Sequence, residues 1–238
     1  MYEDLMVKVK IISIGEDFLK NFVCDYPKFE LCLVTEEISD AEIENLVSDC
    51  HWLFVVSDAK NLAAAKKFED SAKVLLTNVF LFPTAEDIKI SELEKDFGTV
   101  IALPEDKISE LKFEKTELLT KILSSMILAV GNTTLVGLDF LDVIDVMKNA
   151  GVMYAVIGEG ISGSNPLAIV KKSLKNPLLE CNTNQTTKIF ASFVGKGEEF
   201  SMIEIHETVD LFSMITQKII KIMRIIAILF GKLQLMKI

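Results

Sequence analysis

Residues 137–165 read GLDFLDVIDVMKNAGVMYAVIGEGISGSN, and several local signals agree within them. Asp139 and Asp142 stand at the start of a helical pattern in which Phe140, Val143, Ile144 and Met147 recur at three- and four-residue spacing. Gly151 is expected to close that helix as a left-handed cap. Val152 to Ile157 are all apolar or aromatic, which predicts a buried strand, and Gly158, Glu159 and Gly160 end the run in a turn. The stretch reads as loop, capped helix, strand and glycine-rich turn.

Upstream, apolar runs alternate with polar helical patterns. Strands are expected over 7–14 (VKVKIISI, ending in Gly15), 29–34 (FELCLV), 52–57 (WLFVVS), within 74–82 and over 99–103. Helices are expected to begin over Asp17–Phe22, then over Glu36–Leu46 with Ser39 or Asp40 as cap, Leu62–Phe68 and Ile88–Phe97. Apolar strands bounded by polar helices predict a parallel sheet covered on both faces, an α/β arrangement of the doubly wound, Rossmann-like kind. From Ile108 to Val130 runs the longest helical signal, with Leu118, Leu119, Ile122, Leu123, Met126 and Ile127 in one stripe and Gly131 and Asn132 as terminators. Such a helix suits the middle of the molecule, joining two halves. Beyond residue 165 the pattern is α+β: a helix with Pro166 in its first turn, strands over Thr187–Val194 and Phe200–Ile205, and a helix over Glu207–Ile215.

A chain of 238 residues, half of them hydrophobic, has enough apolar material for one large domain or two modest ones. With 35 acidic and 25 basic residues, its net charge of −10 repels phosphate backbones, so no nucleic-acid partner is expected. Cys24, Cys32, Cys50 and Cys181 lack the spacing of a metal or redox site and read as buried thiols. The N-terminal MYEDLMVKVK has acids where a signal peptide has bases, and no run is long enough to span a membrane, so a cytoplasmic location is expected.

Three segments resemble the FtsZ/tubulin family: residues 137–165, the run Asn176-Pro177-Leu178-Leu179-Glu180, and EEFSMIEIHETVDLF at 198–212. TVIALPEDKI at 99–108 is similar to the last strand of that family's nucleotide-binding domain and the entry to its central helix. The resemblance implies a reduced nucleotide-binding-like α/β domain over 1–107, a central helix over 108–132, and a smaller α+β FtsZ-like domain over 133–238. It also implies an association loop of Gly137, Leu138, Asp139, Phe140 and Asp142, with Gly137 where the family has Asn. In the family such carboxylates polarise the water that attacks GTP held by the next subunit, so Asp139 and Asp142 are the candidate catalytic pair, acting in trans. Helix capping accounts for both acids equally well, since a carboxylate is favoured by the free N–H groups of a first turn.

The nucleotide half departs from the family. Phosphates are held by backbone N–H groups in glycine-rich turns, yet no glycine occurs between Gly15 and Gly98, and nine of the eleven glycines follow residue 130. The first turn is Gly15-Glu16-Asp17, and the loop after WLFVV is Ser57-Asp58-Ala59-Lys60-Asn61. No nucleotide-binding residues, no cofactor and no metal are therefore expected; GTP and Mg²⁺ enter only in the GTPase alternative. Lys60, His51 and His206 read as structural or solvated residues, and Gly158, Gly160 and Gly163 as a turn rather than a dinucleotide fingerprint.

Residues 212–238 hold five bases and no acids, which leaves 20 bases against 35 acids, net −15, in the preceding 211. As a helix this tail would be a cationic amphipathic segment suited to a membrane surface; as a family counterpart, Ile225–Gly231 would be a strand of an incomplete C-terminal sheet. The expected function is that of a degenerate FtsZ-like protein that docks on a filament-forming relative, or on itself, and modulates or caps assembly. The alternatives are a polymerising GTPase that uses Asp139 and Asp142 in trans, and a stand-alone scaffold with a basic tail.

Overall fold

Six runs pair in one parallel sheet of order β2-β1-β3-β4-β5-β6: β1 (Val9–Ile14), β2 (Phe29–Val34), β3 (Trp52–Ser57), β4 (Thr77–Phe82), β5 (Thr99–Ala102) and β6 (Gly151–Met153). They are seen in a computed structural model that describes residues 6–15, 18–35, 37–72, 77–82, 93, 95–103, 105–110, 114–131, 139–155, 157–160, 164–175, 190–192 and 202–216. β1 and β3 are buried at every position because both faces of the sheet are covered. On one face, Trp52, Phe54 and Val56 meet Leu118, Leu119, Leu123 and Ile127 of helix α4 (Lys115–Gly131). Helix α3 (Glu105–Glu110) adds Ile108 there, and helix α5 (Phe140–Met147) adds Val143 and Met147. On the other face, Leu53 and Val55 pack with helices α1 (Asp40–Val47) and α2 (Leu62–Ser71) through Ile43, Val47, Ala65 and Phe68. The expected α/β arrangement, a parallel sheet covered on both faces, is the arrangement observed.

Local chemistry sets the helix starts. Ser39 Oγ accepts the Glu42 N–H at 3.4 Å while the Glu42 carboxylate accepts the Ser39 N–H at 2.9 Å, a reciprocal cap that fixes the first turn of α1. Asn165 caps helix α6 (Pro166–Ser173), with Pro166 placed where its missing N–H costs nothing.

Six expectations change. Phe18–Asn21 form a turn and not the start of a helix, although Phe18, Leu19 and Phe22 are buried. Pro27 disfavours helical backbone at Tyr26, and the short segment between β1 and Pro27 is a poor length for a helix to propagate. The long helical signal from Ile108 to Val130 belongs to two helices, α3 and α4, with Glu114 outside both. Each buries its stripe on the same face of the sheet, so periodicity does not reveal the break. α5 ends at Met147 rather than at a Gly151 cap: Asn149 takes the left-handed conformation (φ 52), and Gly151 (φ 69) already opens β6.

β6 is a half-buried strand of three residues and not the six-residue run expected: it pairs with β5 only at Thr99–Gly151, Val100–Val152 and Ile101–Met153. Phe200–Ile205, expected as a strand, falls largely in helix α7 (Met202–Thr216), where Ile205 and Thr208 bury and Ile203 is 72% exposed. The run FSMIEI, with four apolar residues in six, fits either period, and the length of the continuing segment favours the helix. Of the expected strand over 187–194 only residues 190–192 are described, and they are not in a strand. Glu16, Asp17, Gly137, Leu138, Gly163, Cys181, most of the expected helix over 88–97 and the tail from residue 217 lie outside the described residues.

Two predictions follow from these contacts. Ser39→Ala removes the reciprocal cap and should lower stability by about 1 kcal/mol in urea unfolding. Burial pushes the thiols of Cys24, Cys32 and Cys50 up from the usual 9.0 to about 11. The folded state thus holds these protons more tightly than the unfolded chain, so the stability they confer is complete below pH 9 and is lost as pH rises through about 11. A stability–pH profile should fall over that interval, and less steeply in a Cys24→Ala/Cys32→Ala/Cys50→Ala variant.

Candidate functional site

In a doubly wound sheet the ligand crevice lies beyond the C-terminal ends of the two strands at which the crossovers diverge. Those strands are β1 and β3: the chain leaves β1 for β2 on one side and leaves β3 for β4 on the other. Gly15 follows β1 with φ +89, a conformation only glycine takes without strain. Its N–H is already donated to Val34 O at 3.0 Å, which continues the β1–β2 ladder one residue further. After β3, the Ser57 hydroxyl donates to Asp58 O at 3.1 Å, and Asp58, only 6% exposed, caps a 3-10 turn over Ala59–Asn61. Asp58 Oδ1 accepts the Asn61 backbone N–H at 3.1 Å and the Asn61 Nδ2 at 2.7 Å. The carboxamide so fixed lies over Gly15, where a Cβ would collide with Asn61 Nδ2, and Asp58 Oδ2 stands 3.8 Å from that same position. Lys60 is exposed, a solvated residue of the turn.

Asp139 and Asp142 lie elsewhere. Asp139 caps α5: its Oδ1 accepts the Leu141 N–H at 3.2 Å, and its carbonyl accepts the Asp142 N–H at 3.0 Å. Phe140 turns inward, its ring centroid 5.8 Å from that of Trp52, the first residue of β3. At the far end of the helix, the hydroxyl of Thr99, the first residue of β5, donates to Met147 O. Both ends of α5 therefore touch the starts of strands, and the helix crosses the N-terminal edge of the sheet. The six residues of β3 lie between this edge and the crevice, a span of about 20 Å. The two halves of the candidate site are thus at opposite ends of one sheet, and Asp139 and Asp142 cannot act on anything held at Gly15 of their own chain. Asp139 is exposed and Asp142 half-buried, while between them Leu141 is 66% exposed.

Two residues of this arrangement escape the sequence reading. Asn61 stands three residues after Asp58 at a helix start, the spacing of a side-chain cap, and that spacing was its available signal. Leu141 reads as one more apolar position of an apolar helix, and only the tertiary packing shows that it faces out.

The remaining candidates are structural. His51 Nδ1 accepts the Lys8 N–H at 2.9 Å and its own N–H returns to Lys8 O at 2.9 Å, a clamp between β1 and β3. His206 is exposed, 3.9 Å from Asp210 on the same helix. Gly158 and Gly160 let the chain approach α6: a Cβ at 158 would come within 2.7 Å of Ile169 Cγ2, and one at 160 within 2.8 Å of Ser164 Cβ. Between them Glu159 pairs with Lys121 of α4. Among the described residues no group of His, Cys, Asp and Glu could hold a metal ion, and no helix is long and apolar enough to cross a membrane.

No family model matches the chain. It is 28% identical over 169 residues to cell division protein FtsZ 1 of Thermococcus kodakarensis, an alignment covering 65% of this chain and 44% of that protein. It is 26% identical over 210 residues to the mitochondrial division protein fszA of Dictyostelium discoideum, covering 78% and 40%. The chain therefore spans less than half the length of either relative. Among solved structures, a point mutant of M. jannaschii FtsZ superposes with a TM-score of 0.74 at 15% identity, over 96% of this chain and 86% of that one. An empty FtsZ dimer from the same organism gives 0.73 at 17% identity, over 98% and 86%. Low-identity FtsZ relatives and the shared FtsZ fold together support a divergent FtsZ/tubulin-family protein.

Proposed function

We propose that this FtsZ-related chain does not bind GTP and acts by docking, through the end marked by Asp139, Leu141 and Asp142, onto a filament-forming FtsZ/tubulin-like subunit whose assembly it modulates or caps. The observation that carries this reading is the difference between the two ends of the sheet. At the C-terminal edge, the Gly15 N–H is engaged, the space above it is filled by Asn61, and the Asp58 carboxylate stands where a phosphate would approach. Two such anions at close range repel by on the order of a few kcal/mol at a partly shielded site. These residues do not fit a phosphate.

At the N-terminal edge, an anchored helix presents exposed polar and apolar groups together, with Phe140 gripping the core and Leu141 facing out. Head-to-tail assembly uses two different faces of each subunit, so a subunit able to engage through one face alone ends the filament it joins. In this reading Asp139 and Asp142 contact the neighbour, Asp139 held as the N-cap of α5 and Asp142 carried in its first turn.

Calorimetric titration with GTP and Mg²⁺ should give no saturable heat; micromolar binding would overturn the reading in favour of a GTPase using Asp139 and Asp142 in trans. The docking claim has its own test. In co-sedimentation with polymerising FtsZ, substoichiometric amounts of the chain should reduce the pelleted polymer. Leu141→Arg should weaken that effect at least severalfold while shifting the unfolding midpoint little, since an exposed substitution changes stability by about 0.5 kcal/mol or less. An unchanged pellet at equimolar chain sinks the docking model.

A further inference from the structure

We infer that Asp58 and Asn61 form a self-supplied occupant of the crevice between β1 and β3, a latch that holds the end of β1 at Gly15 to the end of β3 without ligand. The inference rests on the reading that no GTP is bound, and it adds what stands in the nucleotide's place. A ligand at a switch point orders the flanking turns by bridging the end of one strand to the end of the other. Here one hydrogen-bonded pair makes that bridge. Asp58, at the end of β3, is almost fully buried, and its Oδ1 holds the Asn61 carboxamide by one N–H and the turn by another.

The carboxamide rests on Gly15 at the end of β1, and the lack of a side chain at 15 is what admits it. The left-handed φ of Gly15 and its hydrogen bond to Val34 hold the other side of the contact in place. Every partner comes from the chain itself, so the arrangement has no empty and filled states to alternate between. The α5 end then docks in a manner that no nucleotide cycle can switch.

Hydrogen exchange of the full chain tests the latch. In the wild type, amides at 13–15 and 57–62 should exchange slowly, and millimolar GTP with Mg²⁺, or inorganic phosphate, should leave them unchanged. Asn61→Ala removes the carboxamide and keeps the Asp58 cap on the backbone, so exchange in these two segments should quicken about tenfold, the effect of losing one buried hydrogen bond. Amides of α4 and α5 should not change. Asp58→Asn, which keeps the shape and removes the charge, should give a smaller acceleration at the same amides. If the wild type ignores GTP but Asn61→Ala exchanges like the wild type, or exchanges faster everywhere, the latch is refuted and the proposed function stands. If GTP slows exchange in the wild type, both fall.

Discussion

The structure depends on the pairing of β1 between β2 and β3 with both faces covered. A parallel strand cannot pair with its neighbour through a tight hairpin, so each connection must cross a face of the sheet and bury something there. The segment around Phe18 and Phe22 crosses one face and α1 and α2 cross the other, and the two apolar layers that result account for the complete burial of β1 and β3. The same pairing fixes the point at which the crossovers diverge, and with it the crevice at Gly15 and Asp58. Register, core and crevice are therefore consequences of a single arrangement.

The sheet was readable in the sequence because its signals are local. FELCLV and WLFVVS give β2 and β3 residue for residue, and Ser39 and Asn165 mark their helices through side-chain chemistry that acts within one turn. What escaped depends on contacts distant in sequence. β6 exists as a strand only through its pairing with β5, 52 residues earlier, at Thr99–Gly151, Val100–Val152 and Ile101–Met153. The Gly151 cap failed because Gly98 and Thr99 capture the chain after α5 and divert it into the sheet. Residues 200–205 are short and mostly apolar, as a strand can be, and only the continuation of the segment to Thr216 shows the helix.

The candidate site was legible in part for a similar reason. The acids at 139 and 142 and the scarcity of glycine in the first half are matters of composition and order, open to inspection. That the two groups sit at opposite ends of β3 follows from the direction of the strands, which no single segment encodes. Asn61 is the clearest case: its backbone role as the end of a short turn is local, whereas its side chain lying on Gly15 joins residues 46 positions apart.

One hydroxyl has a mechanical consequence. Thr99 Oγ1 donates to the carbonyl of Met147 and accepts the N–H of Ala150 at 3.1 Å, so both its proton and a lone pair are engaged at the point where α5 hands the chain to β6. With Phe140 seated on Trp52 at the other end, the helix is pinned to the sheet at two places. A tug on the exposed side of α5 is then carried into the strands as load along their hydrogen-bonded ladders, which resist shear, instead of being dissipated in a swinging loop.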